Sequence, residues 1–85
     1  MNPDRLLRRL LRGETRNVAF ADIHNLVQAV GFRLARTRGS HHIYVHRRIP
    51  ELLNLQEVKG EAKPYQIRQF LRLVERYGLR LEGRK

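Results

Sequence analysis

Two adjacent histidines, His41 and His42, follow the pair Gly39-Ser40 and precede the apolar stretch Ile43-Tyr44-Val45. The glycine-serine pair predicts a turn that delivers both rings to the start of a strand. An imidazole with a pKa of about 6.5 can take up and release a proton near neutral pH. In a chain with a large excess of arginine, such rings lie where phosphate groups are attracted. This combination indicates acid–base cleavage of a phosphodiester.

Cleavage of RNA by such a route needs a base for the 2′-OH, an acid for the departing 5′-oxygen and positive charge near the phosphate. DNA lacks the 2′-OH, so we expect DNA not to be cleaved by this route. A metal-dependent nuclease requires clustered carboxylates. The eight acidic residues are instead scattered along the chain, at Asp4, Glu14, Asp22, Glu51, Glu57, Glu61, Glu75 and Glu82. The sequence therefore predicts no metal and no other cofactor.

The charge of the chain indicates a polyanionic partner. Eighteen Lys and Arg against 8 Asp and Glu give a net charge of +10. No segment has the broad apolar face of a membrane-surface helix, so nucleic acid is favoured over a membrane or an acidic protein. In the C-terminal part, arginines recur every four residues, at Arg68, Arg72, Arg76 and Arg80. This spacing puts them on one helix face, which is either a phosphate-binding stripe or a solvated surface. No helix-turn-helix spacing supports a DNA-binding regulator.

Composition also bears on location. The chain has no cysteine, which suits a reducing compartment. Its first residues lack the apolar core of a signal peptide, and no stretch approaches the roughly 18 apolar residues that span a bilayer. We therefore expect a cytoplasmic protein without a membrane partner.

Three segments have helical periodicity. The first runs from Pro3 to about Arg12, with Asn2 or Asp4 as its cap. The second carries apolar residues from Phe20 to Val30 and ends at a glycine. The third begins at Pro64, which suits a first helical turn, and ends at Gly78, after which we expect a short, frayed tail.

Between the second and third helices the pattern predicts three strands. Residues 32–37 alternate, with Phe32, Leu34 and Arg36 on one face, and residues 41–46 form the hairpin partner. Residues 52–58 form a third strand, and residues 59–63 form a loop. The predicted fold is α+β: a three-stranded antiparallel sheet, two helices on one face, and an extra N-terminal helix. We divide the chain into a basic helical extension, 1–15, and a domain, 16–85.

Several motifs occur together between residues 20 and 77: Gly31-Phe32, Arg36 or Arg38, the element from Gly39 to Tyr44, Leu53-Asn54-Leu55-Gln56 and Ala62-Lys63-Pro64-Tyr65-Gln66-Ile67-Arg68. Over these residues the chain resembles the HicA toxins of bacterial toxin–antitoxin systems, whose fold is similar to a double-stranded-RNA-binding domain. The resemblance implies a metal-independent endoribonuclease that cleaves mRNA and is blocked by a HicB-type antitoxin.

The resemblance makes His41 the catalytic match, whereas strand alternation favours His42. On a regular strand His41 shares a face with Ile43 and Val45, and the opposite ring escapes that apolar pair. Both histidines therefore remain candidates. The predicted RNA contacts are Arg36, Arg38, Gly39, Ser40, Lys59, Lys63, Tyr65 and Arg68. The alternative function is a non-catalytic RNA-binding module of the same shape.

Overall fold

The computed structural model describes residues 1–82. Its elements are α1 (Pro3–Leu11), α2 (Phe20–Ala29), β1 (Arg33–Arg38), β2 (His41–His46), β3 (Ile49–Val58), β4 (Glu61–Ala62) and α3 (Pro64–Tyr77). The strands form one antiparallel sheet in the order β1-β2-β3-β4. All three helices share a core with one face of this sheet, and the other face is open. The α+β fold, compatible with a double-stranded-RNA-binding domain, and the extra N-terminal helix are confirmed.

The helix ends follow local chemistry. The Asn2 side chain caps α1 by accepting from the Asp4 and Arg5 amides at 2.8 and 3.3 Å. Leu6 and Leu10, one turn apart, are each only 1% exposed and tie α1 to the core. Helix α3 ends at Gly78, whose φ of 61° lies in the left-handed region that glycine adopts without strain. These ends agree with the predictions from the sequence.

Strand β1 departs from simple alternation. Leu34 lies opposite Tyr44, but the register then shifts by one residue at Ala35, so Arg36 lies opposite Ile43. Such a bulge inserts one unpaired residue and moves the following side chains to the other face. The prediction that Leu34 and Arg36 share a face is therefore wrong, and Arg36 lies on the open face.

Strand β2 buries its polar side and leaves its aliphatic side half-exposed. Tyr44 is fully buried and its hydroxyl lies 2.7 Å from His24 Nδ1. His46 is also buried; its Nε2 lies 3.1 Å from the Val30 carbonyl, and its Nδ1 accepts from the Arg48 amide at 3.1 Å. Because these polar atoms are all paired, this face can be buried at little cost. Ile43 and Val45 lie on the other side of the strand, the side of His41, and are half-exposed.

The far end of the sheet holds a short strand that the sequence pattern does not predict. Residues 59–63 are predicted as a loop, but Glu61 and Ala62 pair with Val58 and Glu57 as strand β4. Lys59 and Gly60 form the connection with φ of 53° and 78°. Two consecutive positive φ values are typical of a type I′ hairpin turn. This short hairpin leads directly into α3.

The segment after α3 packs back on the core. Leu79 is 5% exposed, and the Glu82 amide donates to the Ala29 carbonyl at 2.6 Å. The predicted frayed tail is thus packed as far as residue 82. Its remainder, residues 83–85, lies outside the described residues.

Candidate active site on the open face of the sheet

The register of β1, β2 and β3 builds two rows of side chains across the open face. Arg38, His41 and Gln56 lie opposite one another in the first row. Arg36, Ile43 and Asn54 form the second row. Opposite residues in an antiparallel pair have Cβ atoms about 4.5–5.5 Å apart. Two arginines therefore lie within side-chain reach of His41.

The acidic residues of these three strands lie on the other face. Glu51 Oε1 accepts from the Tyr77 hydroxyl at 2.5 Å, and its Oε2 accepts from Arg76 at 3.0 Å, so it faces α3. The Tyr77 hydrogen bond holds the pKa of Glu51 below its usual value. Glu57 lines a shallow cavity with Phe20 and His24 on the α2 side. Within β1–β3 the open face consequently presents cations and no carboxylate, and the exposed Glu61 of β4, opposite Val58, adds one carboxylate at the β4 edge of that face.

His41 is exposed and has one polar side-chain partner in the described part of the chain. Its Nδ1 lies 3.3 Å from Asn54 Oδ1 in the neighbouring row. An amide oxygen only accepts, so a hydrogen bond between these two atoms requires a proton on Nδ1. In the neutral ring Nε2 then bears the free lone pair. This nitrogen can accept a proton from a hydroxyl bound over the open face.

His42 lies on the opposite, helix-facing side of β2. It is half-buried, with its Nδ1 3.1 Å from the Ser40 carbonyl and its ring centroid 4.5 Å from that of Phe20. A ligand bound over the open face contacts His41 and not His42. The structure therefore places the two candidate histidines on opposite faces of the sheet.

Several predicted contact residues gather at one end of the sheet. Gly39 and Ser40 form the β1–β2 turn, and the Ser40 carbonyl accepts from the Glu57 amide at 3.0 Å. Because Glu57 is next to the β3–β4 hairpin, Lys59 lies at this same end. Lys63 occupies the position before α3, immediately after β4. The structure thus brings two lysines to the end of the sheet where His41 begins β2.

Gln66, which the sequence pattern does not single out, joins α3 to this end of the sheet. It is 3% exposed, and its Oε1 accepts from the Gln56 amide at 2.6 Å. Its Nε2 donates to the exposed Tyr65 hydroxyl at 3.4 Å, and Gln56 Nε2 in turn donates to Ser40 Oγ at 3.3 Å. The available signal is a polar residue next to Ile67, at the start of the buried stripe of α3. These bonds fix the β1–β2 turn relative to the helical layer.

Arg68 does not join the open face. It lines a groove between α1 and α3 with Leu10 and Leu71, on the helical side. Farther along the same stripe Arg76 is paired with Glu51. The arginine repeat of α3 is therefore divided between a groove, an ion pair and solvent.

Two kinds of feature are absent from residues 1–82. No helix in that range is both long and apolar enough to cross a membrane. Within the same residues no group of three or more His, Cys, Asp and Glu side chains is arranged to hold a metal ion.

The fold and this face define a small α+β protein that presents an imidazole among arginines on an open antiparallel sheet. A family model described as HicA toxin of bacterial toxin–antitoxin matches residues 20–75, well over half of the 85-residue chain. The chain belongs to this family. It is therefore the toxin of a toxin–antitoxin pair, and such toxins generally cleave RNA and have a cognate antitoxin. No curated protein and no solved structure was found to match it.

Proposed function

We propose that this protein is a metal-independent endoribonuclease that cleaves mRNA in the cytoplasm, with His41 as its catalytic residue. The observation that carries the proposal is the open face itself. There His41 is exposed and its Nε2 has no hydrogen-bond partner among the described residues, Arg38 lies in its own row and Arg36 in the adjacent row, and β1–β3 contribute no carboxylate. An RNA phosphate is attracted to such a surface, whereas a carboxylate would repel it.

The proposed chemistry is an internal transfer at phosphorus. His41 Nε2 takes the proton from a ribose 2′-OH, whose oxygen then forms a bond to the adjacent phosphorus. The bond from phosphorus to the 5′-oxygen breaks, and that oxygen receives a proton from the imidazolium. The products are a 2′,3′-cyclic phosphate and a 5′-OH. Arg36 and Arg38 offset the charge that develops on the non-bridging oxygens.

The remaining predicted contacts outline an RNA path. Gly39 and Ser40 approach the backbone at the turn, while Lys59 and Lys63 bind phosphates at the same end of the sheet. Tyr65, 54% exposed, offers an aromatic face for a base. Arg68 contacts only RNA that continues past α3 to the helical side. Residues 1–15 are a helical extension of the catalytic domain 16–85.

The proposed partner is a HicB-type antitoxin that covers the open face. Its docking surface should be acidic, because that face is cationic. Binding between the two proteins should then weaken as the salt concentration rises. A complex whose affinity does not change with salt would contradict this docking mode.

The test is cleavage of a long RNA by the purified protein in EDTA. We expect cleavage products with 2′,3′-cyclic phosphate ends, and His41→Ala should reduce the rate by about 10²–10⁴-fold. His42→Ala, which alters the other face of the same strand, is the matched control, and its cleavage rate should be closer to that of the wild type. Unchanged cleavage by His41→Ala would remove this assignment. If the wild-type protein binds RNA without cleaving it, the protein is a non-catalytic RNA-binding module.

A further inference from the structure

The hydrogen bond between His41 and Asn54 places a constraint on the imidazole that the family match does not contain. The two residues are diagonal neighbours, because His41 lies opposite Gln56 and Asn54 lies opposite Ile43. Diagonal side chains on one face of a sheet are within reach of each other. Asn54 Oδ1 lies 3.3 Å from Nδ1, the ring nitrogen closer to the backbone.

Which nitrogen of a neutral imidazole carries the proton is set by the bond that the other nitrogen makes. An acceptor at Nδ1 favours the ring protonated there, so that the lone pair is on Nε2. Because Nε2 is at the far end of the ring, it reaches farther above the sheet than Nδ1. A ring protonated at Nε2 would present a donor there and could not act as a base.

We propose that Asn54 is a positioning residue that holds His41 in the Nδ1-protonated form, so that Nε2 is the base for the 2′-OH. This deepens the proposed function, on which it rests for the catalytic part. Asn54 touches no substrate atom in this role and acts only through His41. Strand β3 holds it in place, since the neighbouring Leu53 and Leu55 are fully buried.

The role of Asn54 differs from a merely structural one. Asn54 is half-buried and its side chain lies on the open face, so replacing it leaves the core intact. We therefore expect Asn54→Ala to remain folded while the proton distribution of the His41 ring changes. A change in the ring without a change in fold is the signature of positioning.

The direct experiment is ¹⁵N NMR of the histidine side chains in the free protein at about pH 8.5, where an ordinary imidazole is neutral. We expect His41 of the wild type to be protonated on Nδ1, and Asn54→Ala to move the proton toward Nε2. In the RNA cleavage assay Asn54→Ala should lower kcat about tenfold with little change in KM, because the ring is less often in the reactive form.

Asn54→Asp is the conservative rescue. A carboxylate still accepts from Nδ1, so the Nδ1-protonated ring should return. The carboxylate also favours the imidazolium, so the acidic limb of the pH–rate profile should move to higher pH. Asn25→Ala, the same substitution at an exposed position of α2, is the matched control and should change neither the ring nor the rate.

The outcomes separate this proposal from the proposed function. A wild-type His41 protonated on Nε2, or an unchanged ring in Asn54→Ala, would overturn the positioning role whether or not the protein cleaves RNA. A shifted ring with unchanged kcat would overturn it as well. If His41→Ala still cleaves RNA, the catalytic assignment fails, while the NMR result still decides what Asn54 does to the ring.

Discussion

At the residue scale, the histidines on the two faces of β2 differ in burial and in hydrogen bonding. His46 is 4% exposed, and both its ring nitrogens are within hydrogen-bond distance of backbone atoms. His41 is exposed and only one of its ring nitrogens has a protein partner among the described residues. A buried ring with both nitrogens bonded is a structural group, whereas an exposed ring with one free nitrogen can transfer a proton. Sequence alone does not distinguish them.

Gly31 offers a stability test of the buried histidine. Its φ is 106°, and a Cβ there would lie 2.6 Å from His46 Nε2 and 2.5 Å from Glu82 Oε2. The Glu82 carboxylate is the end of a flexible side chain and can move, but the His46 ring is held in the core. We expect Gly31→Ala to lower the free energy of unfolding by about 1–3 kcal/mol more than Gly13→Ala, measured by urea denaturation.

Gly13 is the matched control because its φ of 93° is similar and a Cβ there meets nothing within 4 Å. Both variants therefore carry a similar backbone penalty, and their difference isolates the contact with His46. Equal losses would mean that the ring moves aside without cost.

Tyr44 gives a pH-dependent prediction. Burial raises the pKa of its hydroxyl from 10.0 to about 12. The unfolded chain then loses this proton at lower pH than the folded protein, so the stabilisation is complete below about pH 10 and is lost as the pH rises toward 12. In Tyr44→Phe the alkaline decrease in unfolding free energy should be smaller, and at pH 7 the loss should be about 0.5–1.5 kcal/mol from the broken bond to His24.

The comparison for Tyr44→Phe is Tyr65→Phe, which removes a hydroxyl from an exposed ring. Tyr77, whose pKa is raised by its hydrogen bond to Glu51, contributes equally to both variants. In urea denaturation from pH 7 to about 11, the two curves of unfolding free energy should therefore be offset by a constant amount up to about pH 10, with Tyr44→Phe the less stable variant. They should converge at higher pH, where only Tyr65→Phe loses the Tyr44 stabilisation. Parallel curves over the whole range would show that the Tyr44 hydroxyl ionises as readily in the folded protein.

At the element scale, α1 lies outside the residues matched by the family model yet belongs to the core. The match begins at residue 20, while Leu6 and Leu10 are in the same buried cluster as α2 and α3. Two carboxylates pair with three of the arginines in and just after α1, because Arg8 pairs with Asp4, and Glu14 pairs with both Arg9 and Arg12. These contacts indicate that α1 stabilises the domain.

Leu10→Ala tests this contribution against Leu11→Ala. Leu10 is 1% exposed and Leu11, the next residue in the helix, is 62% exposed. Truncating the buried leucine should lower the free energy of unfolding by about 2–4 kcal/mol, because it leaves a cavity. Truncating the exposed Leu11 should lower the free energy of unfolding by less than about 0.5 kcal/mol. Equal, small effects in chemical denaturation would show that α1 is not part of the cooperative unit.

The elements that the sequence predicted correctly are those with strong local signals. The apolar stripe and terminal glycine of α3 predict Pro64–Tyr77, and the Asn2 cap predicts the start of α1. The failures depend on contacts distant in sequence. The bulge at Ala35 is set by pairing with β2, and the buried face of β2 depends on His24 and Val30 in and after α2. No local pattern contains that information.

The residues of the candidate site also differ in whether a local sequence signal or a distant contact identifies them. His41 and its turn carry a local signal in Gly39-Ser40, so they could be selected from the sequence. Asn54 and Gln66 could not be assigned a role, because each acts through a partner on another element, His41 and Gln56 respectively. The bulge, invisible in the sequence, is also what places Arg36 on the face of His41.

At the scale of the whole molecule, a net charge of +10 attracts RNA to every part of the surface. The open face differs from the rest by arrangement, because within β1–β3 its arginines have no carboxylate on the same face. Charge as a whole and the arrangement on this face therefore make different predictions for RNA binding. Two pairs of substitutions with equal change in charge can separate them.

The first pair is Arg36→Gln with Arg38→Gln on the open face, and the second is Arg5→Gln with Arg72→Gln, both exposed on the helical side. Each double variant lowers the net charge by the same amount, from +10 to +8. For single-stranded RNA the slope of log K against log salt changes by about 0.7 for each phosphate that the protein no longer neutralises. We expect the magnitude of this slope to decrease by about 1.4 in the open-face double variant and to stay near the wild-type value in the helical-side double variant. Fluorescence anisotropy over a salt series measures both slopes. Equal decreases in the two slopes would mean that RNA is bound by the overall charge of the protein. The open face would then not be supported as the RNA-binding surface at which cleavage takes place.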